Sequence, residues 1–266
     1  MDGNTETPNF SLDIANHTLP LQTHFHAIVD GTSGDTYLQP VNARLRNSNF
    51  TVMGDLINIK GHGHRIDLNV DVPNAQLQDF LNLAVKADPP IMTGSISAKA
   101  KLHIGPGKES VSRRLSLNGD FKLKRMHFSN PKVQDEVDML SLRAQGKPKE
   151  AKPGVEDLRS QMEGKFQMRE GVLHFSDLEY VLPGARVSLE GIYSLDGQQL
   201  DFHGKVLTEA SLSHMVDSTW ASLLLRAASP FFKKNGGGAE IPVSISGTKS
   251  DPKFGLDVGG AHSKKR

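Results

Sequence analysis

The chain of 266 residues contains no cysteine, which excludes thiol catalysis, thiolate metal sites and a small domain held together by disulfides. Aromatic residues are scarce, at 6%. Neither sign of charge prevails, because 31 basic and 30 acidic residues give a formal net charge of +1. This balance provides no electrostatic footprint for nucleic acid.

Long hydrophobic runs are also missing. The longest apolar window, 220–232, is interrupted by Arg226 and Pro230 and is too short to span a bilayer. The first eight residues contain no apolar segment typical of a signal peptide. If the protein works in the periplasm, we therefore expect its export segment or inner-membrane anchor to lie outside this chain.

The familiar motifs of catalysis are absent from the sequence. No serine lies in a Gly-x-Ser-x-Gly pattern. The glycine run at 236–238 lacks the Gly-Lys-Ser/Thr ending of a phosphate loop and precedes a predicted strand. The sequence therefore predicts a protein with no catalytic residues and no cofactor, and a hydrolase with an unrecognised site is the weakest hypothesis.

Two histidine pairs suit metal binding by their spacing alone. His62 and His64, and likewise His24 and His26, are two residues apart, so each pair lies on one side of a strand. No third ligand with a recognisable spacing accompanies either pair. We therefore predict solvent-facing histidines and no metal site.

Alternation of apolar and polar residues dominates the chain. It is clear in 21–29, 66–72 and 96–104, and it predicts half-buried antiparallel strands. Hairpin turns are predicted at three dipeptides, Asp-Gly at 30–31, Asn-Gly at 118–119 and Asp-Gly at 196–197. A glycine followed by alternating residues recurs at Gly94, Gly119 and Gly164, with irregular spacing, and predicts a meander with bends rather than a repeat array.

Three helices are expected to interrupt the sheet. Asn74 is the predicted N-cap of an amphipathic segment at 77–85, and Pro131 is predicted to open a second helix. The third and longest, an amphipathic helix at 208–234, ends near Pro230 and has the pattern of a helix packed on a sheet. We expect one domain over 1–266, with a mobile insertion loop at 143–158 and terminal strands at 239–258.

Several segments, taken in order, resemble the C-terminal region of AsmA-like envelope proteins of Gram-negative bacteria. They are 115–121, 164–173, 187–191 and the ending 230–256, which contains Ile-Pro and then Gly-Thr followed by Asp-Pro-Lys-Phe. The resemblance covers roughly residues 20 to 258, although the chain has neither the N-terminal transmembrane helix nor the length usual in that family.

The resemblance implies a mainly β protein with few helices, an α+β fold whose long, strongly bent antiparallel sheet forms an open groove or half-barrel. AsmA-like and TamB-like proteins are thought to conduct phospholipid acyl chains between the inner and outer membranes along such a groove. The expected function is thus lipid handling in the periplasm or cell envelope, supporting outer-membrane lipid homeostasis, with phospholipid and possible membrane proteins as partners. The candidate groove residues, chosen by strand parity, are Phe121, Leu123, Phe166, Met168, Leu189, Leu200 and Phe202.

Two alternatives stay open at the level of sequence. A sheet that closes on itself, as a sandwich or barrel, would have a dry core and no groove. A sheet with a free edge would suit a structural or assembly module that captures protein partners, including outer-membrane proteins, by strand pairing.

Overall fold

The computed structural model describes residues 1–12, 15, 17–86, 88–154, 158–211 and 238–257. Within them, β-strands dominate and three helices connect some of the strands. The strands are β1 Asp2–Phe10, β2 Leu19–Val29, β3 Thr36–Leu45, β4 Ser48–Ile59, β5 Gly63–Gln76, β6 Met92–Ile104, β7 Leu115–Phe128, β8 Ser160–Arg169, β9 Val172–Leu182, β10 Ala185–Ser194, β11 Leu200–Thr208, β12 Glu240–Gly247 and β13 Pro252–Leu256. The helices are α1 Leu77–Ala84, α2 Val111–Arg114 and α3 Pro131–Ala144.

The strands form one antiparallel sheet in which spatial order follows chain order from β1 to β13. The sheet is not closed, so β1 and β13 are its two edges among the described strands. The predicted mainly β, antiparallel meander is therefore confirmed, and the alternative of a sheet closed on itself is wrong for this part of the chain. An uninterrupted meander arises because each strand ends at a connection that brings the chain straight back beside it.

Two of the three predicted hairpin turns are confirmed. Asp30 begins the turn between β2 and β3, where the Gly34 N–H donates to its carbonyl at 2.8 Å. Asp196 lies in the turn between β10 and β11. The turn predicted at 118–119 is wrong, because Asn118 and Gly119 lie inside β7 and pair with strands on both sides.

The helix predicted to begin at Pro131 is confirmed as α3. Asn130 is its N-cap, and the Asn130 side chain accepts a hydrogen bond from the Lys132 N–H at 3.0 Å. Asn74 does not cap α1, whose N-cap is Gln76, because β5 pairs with β6 as far as Gln76. Pairing with a neighbouring strand thus places the N-cap two residues later than the sequence pattern predicted.

The other predicted segments fall partly outside the described residues. Of the amphipathic helix predicted at 208–234, only 208–211 are described; Thr208 is the last residue of β11 and the rest lies outside. The insertion predicted at 143–158 corresponds to the connection between α3 and β8, of which 155–157 are not described. Strands β12 and β13 lie within the predicted terminal region.

Each face of the sheet has a consistent character, because residues directly opposite on neighbouring strands point the same way. We call the inner face the one on which α1 lies, and the outer face the other. The main core cluster occupies the inner face from β7 to β12 and includes Phe121, Leu178, Val187 and Phe202. The outer face of these strands is largely polar and exposed.

Candidate functional site

All seven predicted groove residues lie on the inner face. Strand register places Phe121 and Leu189 in one cross-strand row through Gly164 and Leu178. Four of the seven are buried in the core, and three are half-buried. The buried four are Phe121, Leu123, Met168 and Phe202; the half-buried three are Phe166, Leu189 and Leu200.

Aromatic rings on four strands, β7, β8, β9 and β11, connect three of the predicted residues. Phe121 lies with its ring centroid 6.1 Å from those of Phe166 and Phe175, and Phe175 lies 5.8 Å from Phe202. These separations are typical of favourable aromatic pairs. Phe175 was not predicted, although its position in the alternating segment 173–175 was a signal that could have found it.

Glycines opposite these rings create the space for them. Gly119 lies opposite Phe166, and Gly191 lies opposite both Phe175 and Phe202. A residue without a side chain leaves room for the ring on the neighbouring strand. The recurring glycines of the sequence therefore contribute to a packed aromatic cluster.

Helix α1 begins at the upper end of the inner face, which is the end of the strands where α1 and α3 begin, and its last turn packs near Leu117 of β7 and Met168 of β8 in the lower half. Its Phe80 ring packs edge-to-face on Phe50 of β4, with centroids 5.7 Å apart. Just after the helix, Val85 forms a second core cluster with Met168 of β8 and Leu195 beside β10. One short helix thus contacts strands from both halves of the sheet.

The rest of the inner face is apolar but incompletely covered. A set of half-buried aliphatic residues on β3 to β6 belongs to neither core cluster of the described residues. We call this set the open patch; it consists of Leu38, Val52, Leu56, Ile66, Leu68, Val70, Leu102 and Ile104. Its members are paired in rows, Leu56 with Ile66 and Ile104, and Leu68 with Leu102.

The open patch was not among the predicted site residues. The sequence did contain the pattern that identifies its residues, since the alternation at 66–72 and 96–104 correctly predicted two of the strands that form it. Parity alone assigns each residue to a face but does not say which part of that face a helix covers. The choice between β4–β6 and β7–β11 therefore needed the tertiary structure, which shows how deeply each residue is buried.

Cross-strand ion pairs line the outer face. The Asp67 carboxylate lies 2.6 Å from His103 Nδ1 and 2.7 Å from Arg65 Nε, and the hydrogen bond from His103 is the main cause that lowers the Asp67 pKa. Lys122 pairs with Glu163 at 2.8 Å, which lowers the pKa of Glu163 and raises that of Lys122. Such exposed pairs contribute little to stability, and they identify the solvent side of the sheet.

Two tyrosine hydroxyls on the inner face are buried. Burial raises the pKa of Tyr180 and of Tyr193 to about 12. The Tyr180 hydroxyl donates to the Ser160 hydroxyl at 2.6 Å. The Tyr193 hydroxyl has no hydrogen-bond partner among the described residues.

The histidines of both predicted pairs are exposed. Those of the pair His24 and His26 contact side chains of the neighbouring strand β1. His24 Nδ1 lies 2.8 Å from Asn4 Oδ1, and His26 Nδ1 lies 2.6 Å from Asp2 Oδ1. His62 lies in the turn before β5 and His64 on β5. The described part of the chain contains no group of three or more His, Asp or Glu residues that is arranged to hold a metal ion.

Comparisons of the chain with protein-family models, with curated proteins and with solved structures give no match. None of the described helices is both long and apolar enough to cross a lipid bilayer.

Proposed function

We propose that this chain is a non-enzymatic cell-envelope protein of the AsmA-like type, which binds phospholipid acyl chains along the inner face of its sheet. The open patch is the observation that carries the proposal. It places eight half-buried aliphatic residues side by side on one face, outside both core clusters of the described residues. Apolar surface left accessible in this way is typical of ligand and partner sites.

We further propose that the sheet curves around α1 into a groove. The contacts of α1 support this proposal. Neighbouring strands are about 4.8 Å apart, so β4 and β8 would be separated by about 19 Å on a flat sheet, whereas a helix with its side chains is only about 10–12 Å wide. Phe80 and Val85, only five residues apart, nevertheless contact Phe50 on β4 and cluster with Met168 on β8. A sheet that bends around the helix accounts for both contacts.

In this proposal, α1 fills the part of the groove next to β7 and β8, and the acyl chain lies against the open patch on β3 to β6. Each CH₂ group transferred from water to the patch contributes about 0.8 kcal/mol. The half-buried Phe166, Leu189 and Leu200 extend the same face toward β11. The proposed setting is the periplasm, where the groove would bind or conduct phospholipid between the two membranes.

A double substitution within the open patch tests the proposal. Leu68 and Leu102 are direct cross-strand neighbours, and replacing both by asparagine puts two polar groups where the acyl chain would lie. An unpaired polar group in an apolar site costs about 1–3 kcal/mol, so we expect L68N/L102N to weaken binding of a fluorescent fatty-acid probe at least tenfold. Native mass spectrometry after gentle purification should detect phospholipid on the wild-type protein and less on the variant.

The matched control is I28N/M53N, which removes two exposed apolar side chains from the outer face. The control should bind the probe as the wild type does. Absence of co-purifying lipid together with no uptake of the probe by the wild type would reject the proposal.

A second candidate function is favoured by the free edge of β1. Met1 and Ala27 exchange two backbone hydrogen bonds, at 2.6 and 2.8 Å, so Met1 and every second residue after it face β2. The N–H and C=O groups of Asp2, Asn4 and Glu6 therefore face away from the sheet, and no described strand pairs with them. Such an edge suits an assembly module that captures an extended segment of a partner protein, for example an outer-membrane protein, by strand addition.

A further inference from the structure

A concave region lies on the outer face, at the upper ends of β5 to β7. It is a surface cleft of about 610 Å³. Three neighbouring strands have register shifts at this level, between Val72 and Ala75, between Thr93 and Ser95, and between Lys124 and Met126. Bulges of this kind redirect side chains, and Arg125 occupies the bulge of β7 with a φ of 54°.

The lining of the cleft is rich in hydrogen-bond donors, and no acidic residue of the described ranges belongs to it. Two arginines, Arg125 and Arg159, lie beside the side chains of Asn47, Gln78 and Thr93. The one carboxylate of helix α1, Asp79, is only 2% exposed and accepts hydrogen bonds from the Asn47 N–H and the Ser48 hydroxyl. It is therefore engaged in the interior rather than with the arginines.

The two arginines of the cleft are not engaged in ion pairs, unlike two other arginines of the outer face. Arg65 pairs with Asp55 and Asp67, and Arg186 pairs with Glu179. The guanidinium groups of Arg125 and Arg159 have neither an ion pair nor a hydrogen bond to any group in the ranges that the structure describes. Two unpaired planar cations, surrounded by amide and hydroxyl donors, match the chemistry of a phosphate group.

We infer that this cleft binds a phosphate group, presented either as a free anion or as the headgroup of a lipid. The two guanidinium groups supply charge-assisted hydrogen bonds, and Thr93, Asn47 and the other neutral donors complete the shell. The inference does not rest on the acyl-chain proposal, because the cleft lies on the opposite face from the open patch. The L68N/L102N variant should therefore bind phosphate normally.

The test is a titration of the protein with inorganic phosphate, at constant ionic strength set with sodium chloride, followed by the backbone amide NMR signals of Thr93, Gly94 and Ser95. These signals should shift and saturate. In R125N/R159Q the apparent affinity should fall at least tenfold, since a hydrogen bond to a charged group contributes about a factor of ten or more. Asparagine is chosen at position 125 because it tolerates a left-handed backbone.

The matched control is R113Q/R169Q, which removes the same two charges from exposed positions at the lower end of the sheet. It should bind phosphate within about twofold of wild type, as expected for a specific site rather than a net-charge effect. Because the bulge at Arg125 is strained, R159Q alone serves as a second variant that leaves the bulge intact, and it should also weaken binding.

Co-sedimentation with phosphatidylcholine vesicles, with and without phosphatidic acid, distinguishes the two sources. Binding that requires phosphatidic acid and competes with inorganic phosphate supports a lipid headgroup. Saturable phosphate binding without vesicle binding supports a free phosphate ligand. Amide shifts that do not saturate, or that are unchanged in R125N/R159Q, would overturn the inference.

Discussion

At the scale of single residues, glycine determines how closely strands approach. A Cβ atom at Gly204 would lie 1.9 Å from the Ser188 carbonyl oxygen, and one at Gly119 would lie 2.2 Å from that of Lys99. In both cases the obstacle is backbone of a paired strand, which cannot move aside as a flexible side chain does. These glycines are therefore required by close packing inside strands, which explains why Gly119 is not part of a turn.

Substitution of Gly204 by alanine should destabilise the protein by about 2–3 kcal/mol, the usual scale of forcing an atom into a filled space. The measurement is the free energy of unfolding in urea. Gly31→Ala is the matched control, because a Cβ atom there meets nothing within 4 Å, and it should change stability by less than about 0.5 kcal/mol. Equal effects of the two substitutions would contradict the argument.

At the scale of elements, α1 is attached to the sheet by a buried polar contact as well as by its apolar side. Asp79 accepts the Ser48 hydroxyl at 2.8 Å and the Asn47 N–H at 3.2 Å, and both Asp79 and Ser48 are almost completely buried. Buried polar groups are costly unless every donor finds an acceptor. The contact therefore fixes the start of α1 against the turn between β3 and β4.

Asp79→Ala should destabilise the protein by about 2–4 kcal/mol, because the buried Ser48 hydroxyl and the Asn47 N–H lose their acceptor and a cavity remains. Asp79→Asn keeps one side-chain oxygen as acceptor, so we expect it to lose less than half as much. Urea unfolding of the two variants makes the comparison. A D79A protein as stable as D79N would show that the hydrogen bonds do not hold the helix.

At the scale of the whole molecule, the open sheet leaves two edges with different protection. β13 is short and contains Pro252 and Lys253, features that discourage pairing with another chain. β1 is longer, has no lysine, and contains its proline, Pro8, only beyond the regular pairing with β2. The N–H and C=O groups of Asp2, Asn4 and Glu6 face outward from it. The edge of β1 is therefore the one at which a partner strand would add.

Asn4→Pro removes an outward N–H of β1 without removing a hydrogen bond to β2, so it should leave stability nearly unchanged and abolish capture of a partner strand. Asn4→Ala, which loses the same contact with His24 but keeps the N–H, is the control. Crosslinking of the purified protein to envelope extracts, with products identified by mass spectrometry, compares the variants. Equal crosslinking by both variants would argue against strand addition at this edge.

Much of this architecture followed from local patterns. Alternation placed strands at 21–29, 66–72 and 96–104, and the Asn130–Pro131 pair placed the start of α3. These features are local, because a strand's period and a helix cap depend on residues a few positions apart. The Asn-Gly pair at 118–119 gave a wrong turn prediction because only local residues were considered. The requirement for glycine at position 119 comes from the backbone of Lys99, twenty residues away in the chain.

The sequence by itself determined which residues share the apolar face, including all seven predicted groove residues. Only the tertiary structure decided how deeply each part of that face is buried: Phe121, Leu123 and Phe202 lie in the core, whereas the open patch on β3 to β6 is half-buried. It likewise brought Arg125 and Arg159 to one cleft across 34 positions of the chain. Parity is a property of each strand alone, whereas coverage and juxtaposition depend on how distant segments pack.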